Sequence, residues 1–280
     1  MKRIFLFIGS LLSIAIILIG IHLSRLPHGR LIVDFLDIGQ GDAILITTPE
    51  GNRILVDGGP GQLVLQELGD VMPVLHKRID LLVLTHPHAD HLVGLIPVLE
   101  RYDVGTVLFS GLNYNSAIYD QFLIEIRTRE IPIYVAQANQ DWKLGDVALD
   151  ILYPFDSMVG RSLSNVNNGS VVIKVIYDDY QILLTGDAEL EVEEELVTAH
   201  DNEELDLQAD ILKVGHHGSR TSSSSEFLER VKPEIAIIQC GKSNDFGHPH
   251  VETLEKFANL GLNLRRNDLE GRVRLTFPPL

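Results

Sequence analysis

Four residues with metal-binding side chains fall within one short segment of the sequence. The segment reads HPHADH and spans residues 86–91, so it offers His86, His88, Asp90 and His91 in close succession. In an extended backbone, side chains two residues apart project to the same side, and the proline between the first two histidines favours that conformation. We therefore expect His86 and His88 to bind one divalent ion, and Asp90 and His91 to bind a second. The alternative is a polar loop that happens to be rich in histidine.

Asp187 is the candidate for the carboxylate that joins the two ions. Hydrolytic centres of this type hold their ions about 3.5–4 Å apart and need a carboxylate between them. Asp187 follows an apolar strand predicted over residues 181–184, in the sequence LLTGD. Taken alone, an aspartate in this position is more often a helix N-cap. The two-ion hypothesis therefore requires that the fold bring Asp187 close to the histidine-rich segment.

Two further strand ends carry candidate residues. The paired histidines of GHHGS, at residues 215–219, follow a predicted strand, and we assign the remaining ligand of the second ion to His216. A solvated loop is the alternative. Asp57 ends another apolar strand and is predicted to orient a ligand imidazole or a coordinated water, although a turn-forming aspartate before two glycines has the same appearance. Asp57, Asp90 and His216 are thus the predicted catalytic residues.

The predicted substrate contacts follow the paired histidines. Residues 217–223 read HGSRTSS and lead into a predicted helix, and backbone amides at a helix N-terminus bind anions. We therefore expect His217, Ser219 and Arg220 to contact an anionic substrate, with a serine cap in a polar loop as the alternative. His248 and His250, in the sequence GHPH, can contact a phosphate or a leaving group, or can form a surface turn with no role.

Two sets of predicted strands and helices must position these residues. The predicted strands span residues 31–37, 43–48, 53–56, 80–84, 105–109, 131–135, 147–152, 170–177, 181–184, 211–214 and 235–238, with two short strands at the C-terminus. The predicted helices lie near residues 62–76, 116–129, 188–199, 226–231 and 251–260. Two antiparallel meanders, each followed by alternating elements, predict two packed sheets with helices outside.

Composition limits the kinds of protein that this chain can be. Of its 280 residues 45% are hydrophobic and 22% charged, which supports a large core. The formal net charge of −16 excludes binding of nucleic acid through a broad basic face, so any such contact must be local. Cys240 is the one cysteine, which excludes an intrachain disulfide framework.

The N-terminal segment predicts a membrane anchor. Residues 4–23 contain no Asp, Glu, Lys or Arg and approach the roughly 20 residues needed to cross a bilayer. We expect residues 1–26 to be a signal anchor or an uncleaved signal peptide, and residues 27–280 to be the hydrolase domain. Lys2 and Arg3 favour a cytoplasmic N-terminus, which places the domain outside the cytoplasmic membrane in a single-pass arrangement. Cleavage of the segment is the alternative, and would make the protein secreted.

The set of candidate residues resembles the metal site of the metallo-β-lactamase superfamily in order and in strand-end placement. A closer similarity is to the soluble hydrolase domain attached to ComEC-type competence DNA-uptake channels. It rests on LDIGQGD at residues 36–42, LLTGD at 183–187, KVGHHGS at 213–219 and GHPH at 247–250. The resemblance implies an α/β fold, the four-layered αββα sandwich, preceded here by one hydrophobic helix. It also implies two divalent ions, zinc or manganese, and hydrolysis of nucleic acid by a metal-activated water.

Two departures from the superfamily pattern qualify this reading. No histidine occurs between His91 and Asp187, where the superfamily usually supplies another ligand, and NVNNGS stands there at residues 165–170. We therefore expect a weaker first site, completed by solvent or an asparagine oxygen, and the resemblance adds Asn168 to the predicted substrate contacts. The single hydrophobic run means that the chain is not itself a channel, so a separate DNA-uptake channel becomes a candidate partner.

The sequence thus predicts a metal-dependent hydrolase, specifically a phosphodiesterase or nuclease acting on DNA at the cell envelope. Two alternatives stay open. One is a hydrolase of another ester, lactam or thioester that uses the same site. The other is a non-catalytic, competence-related module that binds DNA. The oligomeric state is not predicted.

Overall fold

Two seven-stranded sheets lie face to face in a computed structural model of the protein, which describes residues 2–279 and all of their side chains except that of Lys2. Met1 and Leu280, the outer ends of the predicted segments 1–26 and 27–280, lie outside the described residues. The helices are α1 (Lys2–Ser24), α2 (Leu63–Val71), α3 (Ala89–Leu92), α4 (Leu95–Arg101), α5 (Ala117–Thr128), α6 (Leu190–Asp201), α7 (Ser225–Val231), α8 (Val251–Asn259) and α9 (Asn267–Glu270).

Most strands coincide with predicted apolar runs, but three short strands were not predicted, namely Arg78–Ile79, Asp103–Val104 and Trp142–Leu144. The strands are β1 (Leu31–Phe35), β2 (Ile44–Thr47), β3 (Arg53–Val56), β4 (Arg78–Ile79), β5 (Leu81–Leu84), β6 (Asp103–Val104), β7 (Val107–Phe109), β8 (Ile133–Val135), β9 (Trp142–Leu144), β10 (Val147–Tyr153), β11 (Val172–Tyr177), β12 (Tyr180–Leu184), β13 (Ile211–Lys213), β14 (Ile235–Ile238), β15 (Asn263–Arg266) and β16 (Val273–Phe277).

Both sheets combine an antiparallel meander with parallel strands. The first has the order β16-β1-β2-β3-β5-β7-β8, and the second has the order β15-β14-β13-β12-β11-β10-β9. In the first sheet β3, β5, β7 and β8 run parallel, and in the second β12, β13, β14 and β15 do so. Carboxyl ends of parallel neighbours meet at one edge of a sheet, so each sheet gathers the residues that follow these strands.

Three apolar clusters separate four layers. One lies between the two sheets and includes Val33, Ile46, Ile173 and Leu184. Another joins the first sheet to its outer helices, through Leu55, Leu82, Leu99 and Phe122. The third joins the second sheet to α6, α7 and α8, through Leu196, Leu212, Phe227 and Phe257. Helices therefore cover the outer face of each sheet, and the predicted αββα sandwich is confirmed.

Helix α4 is an element that sequence reasoning did not predict. It begins at Leu95, shortly after the end of α3, and carries Pro97 in its first turn. Proline is tolerated there because the amides of the first turn have no partner within the helix. Its apolar residues Leu95, Val98 and Leu99 are buried. The helix therefore holds the preceding histidine-rich segment against the first sheet.

Helix α1 has the length and composition of a membrane span. Its apolar stretch Arg3–Ser24 has a mean hydropathy of 2.9, and none of it is buried by the rest of the protein. Within residues 2–279 it is the one helix that meets both requirements, which a signal sequence also meets. At its base, Nη1 of Arg25 donates to the carbonyl oxygen of Gly69 at 2.7 Å. The predicted hydrophobic helix is thus confirmed.

Candidate metal centre

Asp187 lies where the ends of the two sheets meet. Its Oδ2 is 3.2 Å from Nε2 of His91, 3.2 Å from Nε2 of His217 and 3.8 Å from Nε2 of His86. The side chain is 2% exposed, and the Asp187 amide donates to Oγ of Ser170. One carboxylate oxygen therefore faces imidazole nitrogens from two separate segments, residues 86–91 and 215–218, which is where a carboxylate shared between two ions would lie.

Four residues form a compact set of donors around this carboxylate. Ligand atoms of Asp90, His91, Asp187 and His217 all lie within 4.8 Å of one another. Among the described residues, Nε2 of His91, Nε2 of His217 and Oδ1 of Asp187 have no hydrogen-bond partner, although they are buried. Buried polar atoms without partners are costly, and a cation would satisfy all three. Nitrogen and oxygen donors without a thiolate fit zinc, manganese or iron.

The electrostatic field of this set favours positive charge. Burial alone would lower the pKa of His91, but the carboxylates of Asp187, Asp57 and Asp90 raise it well above its ordinary value. Burial also opposes ionisation of Asp187, yet the rings of His217 and His91 hold the pKa of this carboxyl well below its usual range. Protons and metal ions compete for such ligands. The residues present therefore fit a divalent cation.

The rings of His86 and His88 lie side by side, with centroids 4.7 Å apart, and their role as ligands of one ion stays a prediction. Nε2 of His86 lies 3.1 Å from Nδ1 of His88. The other nitrogen of His86 contacts the hydroxyls of Thr85 and Ser170, at 3.2 and 3.3 Å, so Nε2 is left to face His88. Burial and the neighbouring His91 lower the pKa of His86 well below its ordinary value, and neutral imidazole is the form that binds metal.

Asp57 lies behind the His91 ring rather than within the four-residue set. Its Oδ2 is 2.8 Å from Nδ1 of His91, on the side of the ring opposite Asp187. The Thr85 amide and hydroxyl also donate to the carboxylate, at 2.8 and 2.7 Å. These contacts give Asp57 the position from which a carboxylate orients a ligand imidazole.

The structure brings His217, rather than His216, into the four-residue set. Nε2 of His217 is 3.3 Å from Oδ2 of Asp90, and the side chain is 1% exposed. His216 is 22% exposed, its Nε2 is 4.0 Å from Asp187, and its Nδ1 lies 2.9 Å from Oε1 of Glu189. Both residues have left-handed backbone, with φ of 46° and 54°. The geometry favours His217 for the position that the sequence assigned to His216, and that assignment stays a prediction.

Asp42 and Lys213 are two buried residues of the centre to which sequence reasoning gave no role. Their side chains form an ion pair, and Oδ1 of Asp42 lies 3.2 Å from Nδ1 of His217. The loop that carries Asp42 packs tightly on the histidine-rich segment: a Cβ on Gly41 would lie 2.0 Å from the carbonyl oxygen of Asp90. A lysine at the end of the otherwise apolar strand β13 is the signal that could have revealed this pair.

Most of the predicted substrate residues lie in two loops beside the four-residue set, residues 216–221 and 248–250, which we call the rim of the candidate centre. The His248 ring lies 5.3 Å from that of His216 and 6.1 Å from that of His217. Nδ1 of His250 accepts from the Arg220 amide at 3.0 Å, and Oγ of Ser219 lies 3.0 Å from the Thr221 hydroxyl. The Asn168 side chain instead bonds to the start of α6, where its Oδ1 accepts from the Glu189 amide at 3.1 Å.

One part of the predicted anion site is wrong. The N-terminus of α7 does not offer free amides, because the amides of Ser223 and Ser224 donate to the carboxylate of Glu193. The Ser224 hydroxyl caps the helix by accepting from the Phe227 amide at 3.2 Å. A carboxylate from α6 thus occupies the place in which an anionic substrate was expected. Ser219 and Arg220 stay predicted substrate contacts.

Comparison with known proteins identifies the family. A sequence profile of the Metallo-beta-lactamase superfamily matches residues 36–242, which is more than half of the chain. The chain belongs to this superfamily. Among solved structures, the metallo-beta-lactamase fold protein YhfI from Bacillus subtilis has a TM-score of 0.57 at 13% identity, and the match covers 88% of this chain and 99% of that one. This likeness shows the fold.

Curated relatives of this metallo-β-lactamase superfamily member are ComEC-type competence proteins, as the motifs predicted. ComE operon protein 3 from Bacillus subtilis (strain 168) is 33% identical over 142 residues, which is 50% of this chain and 18% of that protein. Competence protein ComA from Neisseria gonorrhoeae is 34% identical over 137 residues, or 49% of this chain and 19% of that protein. The chain thus matches less than a fifth of the length of either relative.

Proposed function

We propose that the protein is a metal-dependent phosphodiesterase that cleaves nucleic acid at the cell envelope. The observation that carries the proposal is the position of Asp187, whose Oδ2 faces nitrogens of His86, His91 and His217 in a buried cluster. Such a carboxylate between two sets of imidazoles is the arrangement of a two-ion hydrolytic centre. His86, His88 and Asp187 would hold one ion, and Asp90, His91, His217 and Asp187 would hold the other.

The chain's own residues supply orientation and substrate binding in this proposal. When bound, a pair of divalent ions lowers the pKa of coordinated water towards about 7 and polarises the scissile group. Asp57 fixes the ring of His91 from behind. Nδ1 of His217 lies 3.0 Å from the carbonyl oxygen of Gln239, with Oδ1 of Asp42 at 3.2 Å on the same side of the ring. Ser219 is not positioned as a nucleophile, because it is buried and its hydroxyl lies 3.0 Å from that of Thr221.

The rim offers contacts for a phosphodiester. Burial and the neighbouring His217 and His216 lower the pKa of His248 to about 4, so its ring is neutral at pH 7 and offers a hydrogen bond without a charge. Arg220 is exposed, and its backbone amide donates to Nδ1 of His250. These contacts involve only a few residues. A chain with a net charge of −16 offers no broad basic face, so it must bind a polyanion through such local contacts.

Support for a nucleic-acid substrate and for the location comes from the relatives and from α1. One relative is named a competence protein, and we propose that this chain acts on DNA beside a separate DNA-uptake channel. We further propose that α1 anchors the hydrolase domain, residues 27–280, to the outer face of the cytoplasmic membrane. A cleaved N-terminal segment would instead release the domain, and the mass of the mature protein distinguishes the two.

The test is hydrolysis by the detergent-solubilised full chain, loaded with Mn²⁺ or Zn²⁺. The substrates are bis-nitrophenyl phosphate, single- and double-stranded DNA, RNA and nitrocefin. We expect DNA cleavage that chelator abolishes and that Asp187→Asn reduces to background. Asp201→Asn is the matched control, because it makes the same chemical change on the exposed end of α6, where Asp201 pairs with Arg230, and it should leave the rate unchanged.

Three results would overturn the proposal. Cleavage that survives chelator or Asp187→Asn would remove the metal centre from the reaction. Hydrolysis of nitrocefin without cleavage of any phosphodiester would assign the site to another class of substrate. Binding of DNA without cleavage, in protein that contains metal, would make the chain a binding module.

A further inference from the structure

A short turn beside α1 exposes two apolar side chains. The turn comprises residues 73–76, between α2 and β4, and the His76 amide closes it by donating to the carbonyl oxygen of Pro73 at 2.9 Å. Val74 and Leu75 stand at its tip and are 42% and 82% exposed. Leu75 is the most exposed of the large hydrophobic side chains that the structure describes. Single exposed apolar residues are common on soluble domains, so the meaning of this turn depends on where it lies.

The 73–76 turn is joined to the C-terminal end of α1. The His76 ring stacks on the ring of His22, with centroids 5.6 Å apart and planes 8° from parallel. Nη1 of Arg25, the first residue after α1, donates to the carbonyl oxygen of Met72 at 3.1 Å. His22 belongs to the last turn of α1. The 73–76 turn therefore lies at the level at which the chain leaves the apolar helix.

The length of α1 places this level at a membrane surface. Its apolar stretch Arg3–Ser24 contains 22 residues. At about 1.5 Å per residue this stretch is about 33 Å long, which is close to the roughly 30 Å of a bilayer's hydrocarbon core. When α1 spans a bilayer, its last turn lies at the boundary between hydrocarbon and headgroups. Val74 and Leu75 then lie at the same boundary.

The residues of the turn suit that boundary. Apolar side chains gain free energy when their surface leaves water, and a lysine next to them can extend its ammonium group to the headgroups. Lys77 directly follows the turn, is exposed and has no carboxylate partner among residues 2–279. The next cation, Arg78, is instead paired with Asp80 and Asp103. An apolar tip is thus followed by one unpaired positive charge.

Strand directions place the metal centre at the opposite edge of the first sheet. Strand β1 is antiparallel to β2, β2 is antiparallel to β3, and β3 is parallel to β5, so β1 and β5 run in the same direction. Helix α1 leads into the start of β1, and the 73–76 turn leads through β4 into the start of β5. His86 follows the far end of β5, about 13 Å away at about 3.3 Å per residue.

We propose that Val74 and Leu75 insert into the membrane interface beside α1 and form a second attachment of the hydrolase domain to the bilayer. The inference rests on the proposed anchoring by α1. One helix alone fixes only that the domain stays near the membrane, whereas two attachments also fix which edge of the domain faces the lipid. The candidate metal centre then faces water, where a polymeric substrate can reach it.

Leu269 provides a matched control position for a fluorescent label. It is the same type of side chain, is 70% exposed, and lies in α9, which directly follows β15. Strands β13, β14 and β15 are parallel, so the end of β15 lies at the edge that carries His217. Leu269 is therefore on the side of the domain that should face away from the lipid. Ile14, in the middle of α1, reports on the anchor itself.

The experiment measures quenching of a bimane label by brominated lipid. The intact full chain is reconstituted in vesicles of phosphatidylcholine and phosphatidylglycerol, and the label is attached to Leu75→Cys, Leu269→Cys or Ile14→Cys in a Cys240→Ser background. We expect strong quenching of the label at Ile14→Cys. The label at Leu75→Cys should be quenched several-fold more than the label at Leu269→Cys, and its emission should shift to the blue.

Energy transfer measures the orientation of the domain. The donor is the label at Leu269→Cys, and the acceptor is a dye on the lipid headgroups. Adding Leu75→Asp should increase the transfer, because a domain that has lost its second attachment can tilt and bring the metal-centre edge towards the lipid. Leu63→Asp is the matched control, since Leu63 is exposed at the opposite end of α2, and it should leave the transfer unchanged.

Equal quenching at Leu75→Cys and Leu269→Cys would overturn the inference and leave the anchor intact. So would a blue-shifted label at Leu75→Cys that brominated lipid does not quench, because protein, such as a second copy of the chain, would then cover the turn. Equal effects of Leu75→Asp and Leu63→Asp on energy transfer would also overturn it. An unquenched label at Ile14→Cys would overturn the anchor and, with it, this inference.

Discussion

Asp42 lies between Lys213 and the ring of His217: one carboxylate oxygen pairs with Nζ of Lys213, and the other lies 3.2 Å from Nδ1 of His217. Breaking a buried pair leaves an uncompensated charge. We therefore expect Asp42→Asn to lower the free energy of unfolding by about 3–5 kcal/mol, measured by denaturant titration. Loss of a carboxylate behind a ligand imidazole should also lower ion affinity at the second site by about 10–100-fold.

The double variant separates these two effects. Asp42→Asn combined with Lys213→Met removes both charges, and replacing a buried pair by uncharged groups is often neutral for stability. Stability should therefore recover while ion affinity stays low, because the carboxylate behind His217 is still missing. Recovery of affinity together with stability would show that Asp42 acts on the fold alone.

Replacing His216 and replacing His217 should change the number of bound ions differently. We expect His217→Ala to lose one bound ion, because Nε2 of His217 lies 3.2 Å from Asp187 and 3.3 Å from Asp90. His216→Ala should keep both ions and lose activity in part, since Nε2 of His216 is 4.0 Å from Asp187 and its ring faces the rim. Elemental analysis of the two purified variants measures the number of ions bound per chain. Loss of an ion from His216→Ala alone would restore the assignment made from the sequence.

Two variants of the serine-rich loop test where the substrate binds. Ser224→Ala should lower the free energy of unfolding by about 1 kcal/mol, the usual cost of losing an N-cap, and leave KM unchanged because Glu193 already occupies that helix end. Arg220→Gln should raise KM for DNA several-fold without changing stability, since Arg220 is exposed. A rise in KM for Ser224→Ala would return the anion site to the start of α7.

Cys240 should be unreactive in the folded protein. Burial and the nearby Asp268 raise the pKa of this thiol to about 12, and the thiolate is the reactive form. An acid with a raised pKa stays protonated below that pH, so we expect no reaction with Ellman's reagent at pH 8. One thiol per chain should react after unfolding in guanidinium. Fast reaction of the native protein would show that Cys240 is accessible and a candidate ligand.

The sequence was sufficient for the parts of the site that lie at the ends of apolar strands. Asp57 and Asp187 each follow a short apolar run, and such runs end at the sheet edge in a sandwich of two sheets. The alternation of meanders and helices was likewise enough to predict four layers. These features depend on local patterns, which a single sequence displays directly.

The remaining features depend on contacts between distant segments. His216 and His217 are adjacent in a turn with left-handed backbone, so no strand or helix periodicity tells which ring points inward. The carboxylate of Glu193, a residue of α6, accepts from an amide at the start of α7. Asp42 pairs with Lys213, which is far from it in the sequence. Local sequence contains neither partner, which is why the anion site was misplaced and the buried ion pair was missed.

Anomalous scattering from crystals of the Mn²⁺-saturated protein, recorded at the manganese edge, tests the two-ion centre most directly. We expect two peaks about 3.5–4 Å apart on either side of the Asp187 carboxylate. One should lie against His86 and His88, and the other against Asp90, His91 and His217. A single peak in saturated crystals, or peaks out of reach of Asp187, would contradict a centre in which this carboxylate joins two ions.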